Sequence, residues 1–209
     1  NNGSVFKFAS HENTIVNAII EQLIQSKEAD KDELIVFLKS ISHSKRNTTQ
    51  EIWEGERDMI DLCEVIKHFY YNPHTNGSNS IKKVLPSVFE SSEFIREKYS
   101  KPIGEINLGS KNFSKSKVWL KEINNEIQDP YLSLGKIFKD YDPNFELVSE
   151  MEELSDGGAA LTAYGKLQYT DMSSRERKSI TNSLLKYCEL DTLAMVMIYE
   201  HLNEIVNCS

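Results

Sequence analysis

Val5-Phe6-Lys7-Phe8-Ala9 is apolar apart from Lys7 and only partly alternating, and a short aromatic run of this kind predicts a β-strand. Ser10-His11-Glu12-Asn13 then opens a predicted helix. In it Ile15, Ile19, Leu23 and Val16, Ile20, Ile24 recur every four residues or so, forming a wide apolar face. A second helical period runs from about Asp32 to Ile41 through Leu34, Ile35 and Leu38, and the polar stretch Ser42 to Gln50 reads as a loop. Met59, Leu62, Ile66 and Phe69 mark a third period, with Met59 to Leu62 also suited to a brief strand feeding that helix. Turn chemistry fills Tyr71 to Gly77. Ser78-Asn79-Ser80 then caps a helix carrying Ile81, Val84 and Leu85, which Pro86 limits or kinks.

From Ser91 to about Pro143 the periodicity weakens and charge takes over. Lys98 to Lys121 holds six lysines (98, 101, 111, 115, 117, 121) against Glu105, with Tyr99, Phe113 and Trp119 interleaved. Asp140 to Asp156 holds seven acids and no Lys or Arg, so residues 91–156 read as a charge-segregated insertion. Asp156-Gly157-Gly158 starts a short helix to Tyr169, and Ser173-Ser174-Arg175-Glu176 is a capping box that opens the longest helix, about 173–206. The expectation is one α/β domain, 1–209, rich in helices. It has too few strands for a self-contained doubly wound sheet, so part of the sheet is expected to lie outside the chain.

Composition narrows the classes. In 209 residues there is no apolar run of the roughly 18 to 20 residues a spanning helix needs. The three cysteines, Cys63, Cys188 and Cys208, are odd in number and far apart, which fits a reducing compartment, and the expected localisation is cytoplasmic. Cys63, His68 and His74 match no zinc spacing. With 24 basic and 32 acidic residues the net charge is -8, so any nucleic-acid contact must be local.

Candidate chemistry concentrates on the last helix. Leu184, Cys188, Asp191, Met195, Ile198 and Leu202 follow the spacing of one buried face, and one of them is a carboxylate. A buried Asp needs a cation, a metal or strong donors, and a backbone or tyrosine neighbour would serve equally. Tyr187 lies one turn before Asp191 on the same side. Glu12 is a second carboxylate, at the carboxyl end of the first strand, where ligands gather in open α/β sheets; the helix dipole alone also favours an acid there.

Five segments carry a family resemblance: Gly3-Ser4-Val5-Phe6 leading to His11-Glu12-Asn13-Thr14; Asp58-Met59-Ile60-Asp61-Leu62; Gly77-Ser78-Asn79-Ser80-Ile81-Lys82-Lys83-Val84-Leu85-Pro86; Asp156-Gly157-Gly158-Ala159-Ala160; and Leu185-Lys186-Tyr187-Cys188-Glu189-Leu190-Asp191-Thr192. Together they resemble the bacterial family catalogued as domain of unknown function 2779, over nearly the whole chain. Its C-terminal half looks like a ribonuclease H-like, DEDDy-type 3'-5' exonuclease fold. The resemblance implies two Mg2+ or Mn2+ ions held by four carboxylates from three motifs. Asp191 matches the third-motif metal carboxylate, Tyr187 its water-orienting tyrosine, and Glu12 the second-motif acid, one methylene longer than the usual Asp. Asp61 matches none of the four ligands and is expected to line the site. The first-motif Asp-x-Glu has no match. The resemblance therefore implies a C-terminal piece of a longer protein, with the missing strand upstream, often behind a RecB-like nuclease segment.

This implies part of a metal-dependent 3'-5' exonuclease-like nuclease acting on DNA or RNA, with the 209 residues inactive alone. Lys82 and Lys83 at a helix start are candidates for phosphate contacts, and Lys111, Lys115, Lys117 and Trp119 for guiding a single strand by charge and stacking. A solvated insertion is the plainer account of the lysine-rich segment. The rival function is a catalytically degenerate module that binds nucleic acid or a neighbouring nuclease domain.

Overall fold

A computed structural model of the chain describes residues 3–45, 51–124, 126–135, 137 and 157–207. It is an α/β protein made mostly of helices, with three two-stranded sheets among the described residues, and it divides into two compact units, Asn1–Val84 and Leu85–Ser209. The acidic stretch from Asp140 to Asp156 lies outside the described residues.

In the first unit, strand β1 (Phe6–Lys7) leads into helix α1 (His11–Gln25), followed by α2 (Lys31–Ser40). Strand β2 (His43–Ser44) pairs antiparallel with β3 (Trp53–Glu54), His43 opposite Glu54. Strand β4 (Ile60–Asp61) runs straight into α3 (Leu62–Phe69) and pairs in parallel with β1, Phe6 opposite Ile60 and Lys7 opposite Asp61. A parallel pair needs a crossover connection, which α1, α2 and the β2–β3 hairpin supply. Ile20, Ile41, Leu62 and Ile66 form the core of this unit. A single 3₁₀ turn, Pro73–Thr75, follows; Asn76 and Gly77 then take positive φ of 52° and 74°, the left-handed backbone that Asn and Gly tolerate best.

Helix α1 departs from its apolar pattern. Its buried residues are Asn13 and Ile20, whereas Ile15, Ile19 and Ile24 are exposed. The reason is hydrogen bonding: the Asn13 side chain accepts from the His43 N–H at 3.1 Å and donates to the His43 carbonyl at 3.0 Å, which turns the polar edge of α1 toward β2. Helix α2 has no fully buried residue at all, with Val36 and Phe37 open to solvent. The stretch expected as a loop from Ser42 begins instead with β2, because the 55–59 segment closes on it through backbone bonds.

Helix α4 (Ile81–Ser91) carries Pro86 in its interior and continues into the second unit, where α5 (Glu93–Tyr99) starts at a Ser92 cap. The hairpin β5 (Glu122–Ile123) and β6 (Glu126–Ile127) precedes a 3₁₀ turn, Pro130–Leu134. Helix α6 (Gly157–Tyr169) and the 34-residue α7 (Ser174–Asn207) complete the unit. The capping box forms as its sequence dictates: Glu176 accepts from the Ser173 N–H at 3.0 Å and donates its own N–H to Ser173 Oγ at 3.2 Å.

The expected buried seam of α7 needs correction. Of Leu184, Cys188, Asp191, Met195, Ile198 and Leu202, only Ile198 is buried and Cys188 is exposed. The buried stripe runs through Ile180, Tyr187, Leu190, Ala194, Met197 and His201, rotated by about one residue. Packing of α7 against α5, α6 and the 130–134 turn selects this face, and Ala194 on it is fully buried. Asp191 consequently sits on the shoulder of the buried face, half-buried.

Gly55 is held where no side chain fits. Its N–H donates to Ser42 O at 2.9 Å, and an added Cβ would meet the Ser40 carbonyl and come within 2.5 Å of Lys39 O. Both obstacles are backbone. Gly55→Ala is expected to destabilise the first unit by about 1–3 kcal/mol, read as a lower urea midpoint with an unchanged slope.

Candidate functional site

The sequence-derived residues fall into two groups, one in each unit. In the first, the carboxyl ends of β1 and β4 meet at the turn into α1. Ala9 sits there with φ of 81°, a left-handed conformation that costs a residue with a Cβ about 1–2 kcal/mol. Two carboxylates hold the turn. Glu12 Oε1 accepts from the Phe8 N–H at 3.1 Å, and Asp61 Oδ1 accepts from the Ala9 N–H at 3.0 Å. The same Asp61 oxygen caps α3, accepting from the N–H groups of Cys63 at 3.0 Å and Glu64 at 3.3 Å. Asp61 thus lines this turn as a backbone anchor. Glu12 keeps its other oxygen, Oε2, buried without a hydrogen-bond partner. Lys7, opposite Asp61 on β1, is only 5% exposed.

In the second unit, Tyr187 and Asp191 face a residue that the pattern of α7 did not announce. Asp129 caps the 3₁₀ turn by accepting from the Tyr131 N–H at 2.9 Å, and Pro130 presets its first φ. That turn delivers the Tyr131 hydroxyl to Asp191 Oδ1, donating at 2.6 Å, and brings its ring 5.8 Å from that of Tyr187. Tyr131 and Tyr187 are both buried. Burial, followed by the bond to Asp191, pushes the Tyr131 phenol well above its ordinary pKa. The Asp-Pro-Tyr run was the available signal, since Asp-Pro is a turn initiator that fixes the next side chain.

Between Tyr187 and Asp191 along α7, Glu189 accepts from the Asn112 N–H at 3.1 Å, from Asn112 Nδ2 at 2.6 Å and from the Ser110 hydroxyl. These bonds tie the 110–113 segment to α7. Of the lysine-aromatic residues, Lys111 and Lys115 are exposed, whereas Trp119 is 2% exposed. The Trp119 ring packs edge-on against Phe113 at 4.7 Å, with Lys117 Nζ 4.9 Å from its centroid. It is a core residue here, closed to base stacking. Lys117 also donates to Ser133 Oγ at 2.8 Å. Lys82 is half-buried and Lys83 exposed in the first turn of α4.

Glu12 Oε2, a buried anionic oxygen with no donor, suits a cation, but among the described residues no three His, Cys, Asp or Glu side chains converge on one point. One Asp191 oxygen is already bonded to Tyr131. The residues present therefore offer single ligands and no complete cage. No helix of the described residues is long and apolar enough to cross a membrane. In comparisons with family models, curated proteins and solved structures, nothing matches the chain.

Removing the Tyr131 hydroxyl strips Asp191 of a donor in a partly buried place. Tyr131→Phe is expected to cost about 1–3 kcal/mol in chemical unfolding. Its pH dependence has a defined sign. A phenol whose folded pKa lies above its unfolded value of about 10 stabilises fully below that value and loses the contribution as pH rises beyond it. Stability is therefore expected to fall from about pH 10 upward, less steeply in Tyr131→Phe. Part of the decline will remain in that variant, because burial and Glu200 raise the Tyr99 phenol in the same direction.

Proposed function

We propose that the chain is part of a metal-dependent 3'-5' exonuclease-like nuclease of ribonuclease H-like fold, catalytically incomplete in these 209 residues. The observation that carries this reading is Glu12: a carboxylate at the carboxyl end of a parallel strand pair, one oxygen fixed by the Phe8 N–H and the other buried and unpartnered. An anionic oxygen in that state is stabilised by a cation. Bound Mg2+ or Mn2+ supplies, in such enzymes, an activated water and charge neutralisation at a phosphodiester. In this reading Asp191 is a further metal carboxylate, Tyr187 orients water, and the remaining ligands come from an upstream segment of a parent chain.

The residues of this chain have separate tasks. Glu12 and Asp61 shape the β1–α1 turn, Asp61 through three backbone N–H groups. Exposed Lys83, Lys111 and Lys115, with Lys82 and Lys117, would take phosphates of DNA or RNA by charge. Trp119 would act indirectly, by holding Phe113 and Lys117 in place.

A second reading is a catalytically degenerate module that binds nucleic acid or a neighbouring domain. The Tyr131–Asp191 bond favours it, because it gives Asp191 a partner with no metal present, as does the lack of a three-ligand group among the described residues.

Release of nucleotides from 3'-labelled single-stranded DNA and RNA with Mn2+ separates the two. The expected result is digestion by a parent chain that continues upstream of Asn1, with loss of at least about a hundredfold in its Asp191→Asn variant and none by the 209 residues alone. Equal nucleic-acid binding by all three with no release would establish the binding module instead.

A further inference from the structure

Helix α3 buries Leu62, Cys63 and Ile66, and Phe69 continues that period, yet Phe69 is 85% exposed. Tyr71, two residues on, is 90% exposed. An aromatic side chain buries about 150–250 Å² when it finds a partner, so two of them held in water side by side mark a contact surface.

The backbone that carries them is fixed. The Tyr70 N–H donates to the Ile66 carbonyl at 3.0 Å, closing α3. Buried Asn72 donates from Nδ2 to the Tyr70 hydroxyl at 3.1 Å and accepts from the His74 N–H at 3.0 Å, while its carbonyl accepts from the Thr75 hydroxyl at 2.8 Å. Tyr70 is half-buried in this arrangement. The separation of its two neighbours is set by its own φ of -114° and ψ of 118°, which are extended. Extended backbone rises about 3.3 Å per residue, so the Cα atoms of Phe69 and Tyr71 stand about 6.6 Å apart with their side chains on one side, opposite that of Tyr70. Bases along a nucleic-acid strand stack at about 3.4 Å, and a base held between two rings needs about twice that. The two lengths agree.

Charge narrows the occupant. From Val65 to Phe89 there is no Asp or Glu, against Lys67, Lys82 and Lys83 with His68 and His74, in a chain of net charge -8. Lys67 is offset by Glu64 at 2.6 Å, which leaves exposed Lys83 and half-buried Lys82 as the positive charge of this stretch. A nucleic-acid strand supplies both complements, flat bases for the rings and phosphates for the lysines. A duplex hides its base faces in its own stack, so the occupant is single-stranded.

We propose that Phe69 and Tyr71 form a clamp for one unpaired base of single-stranded DNA or RNA, with Lys82 and Lys83 taking phosphates of the same strand. The clamp rests on the nucleic-acid reading above, in either its nuclease or its binding-module form.

Fluorescence anisotropy of labelled oligothymidine, oligouridine, an abasic strand of equal length and a duplex, titrated with the 209-residue chain in EDTA, tests it. The expected result is binding of oligothymidine, oligouridine or both at least about tenfold tighter than the abasic strand or the duplex; the two single strands compared tell DNA from RNA. Phe69→Ala and Tyr71→Ala should each weaken single-strand binding by about fivefold or more and leave the abasic strand unchanged, whereas Tyr71→Phe, which keeps the ring, should bind as wild type. Lys83→Ala should weaken the single strands and the abasic strand alike. Both aromatic positions lie in water, and circular dichroism checks that the variants fold. Equal binding of single and abasic strands, wild-type affinity in both Ala variants, or self-association that Tyr71→Ala abolishes without any strand binding would each overturn the clamp. Strand binding lost in Phe69→Ala, with no nucleotide release by the parent chain, overturns the nuclease reading and leaves the clamp standing. Nucleotide release together with unaltered binding in both Ala variants overturns the clamp alone.

Discussion

Asp61 accepts three backbone N–H groups with one oxygen, and without that arrangement the first unit has no way to turn from β1 into α1 or to begin α3. The need arises from strand length. Each strand pairs over two residues, so the ladders satisfy few backbone groups, and side chains must take the donors and acceptors left at the ends. Asn13 does this for His43, Glu12 for Phe8 and Asp129 for Tyr131. In each case a polar residue near a helix or turn start fixes the entry of the next element.

This economy of strands shapes the chemistry available. A side chain engaged in holding backbone has fewer atoms left for a ligand. Asp61 Oδ1 and Asn13 Oδ1 are engaged in that way, whereas Glu12, Asn17 and Asp58 each retain one buried oxygen without a partner. Those three atoms are the chemically distinctive features of the first unit, and they divide between two places: the β1–α1 turn, and the surroundings of His43, which Asn17 and Asp58 both reach. In the second unit the corresponding carboxylates, Asp191, Glu189 and Glu200, are satisfied by tyrosine, asparagine, serine and lysine groups. That unit therefore depends on polar bridges from irregular segments onto one long helix.

Much of the helical skeleton is legible in the chain itself. The capping box at Ser173–Glu176, the helix start at Gly157-Gly158, the Ser78–Ser80 entry and the brief strand before Leu62 all correspond to observed elements, because caps, turns and short-range periodicity act within a few residues. The acids Glu12 and Asp191 and the tyrosine beside the latter are equally visible as chemistry-bearing residues. Their partners are not. Tyr131 lies 60 residues from Asp191, and His43 lies 30 from Asn13.

Sequence alone determined the helix-rich class, the local starts of elements and the list of carboxylates, since these rest on propensities and contacts between near neighbours. Tertiary structure alone decided which face of each helix is buried. On α1 the apolar residues could supply a buried stripe, yet two bonds from Asn13 to His43 turn the polar edge inward; on α7 packing against α5, α6 and the 130–134 turn moves the buried stripe by about one position and leaves Asp191 at its margin. Periodicity specifies that a helix has faces. Which one turns inward depends on groups far along the chain and on the free energy of leaving their hydrogen bonds unmade.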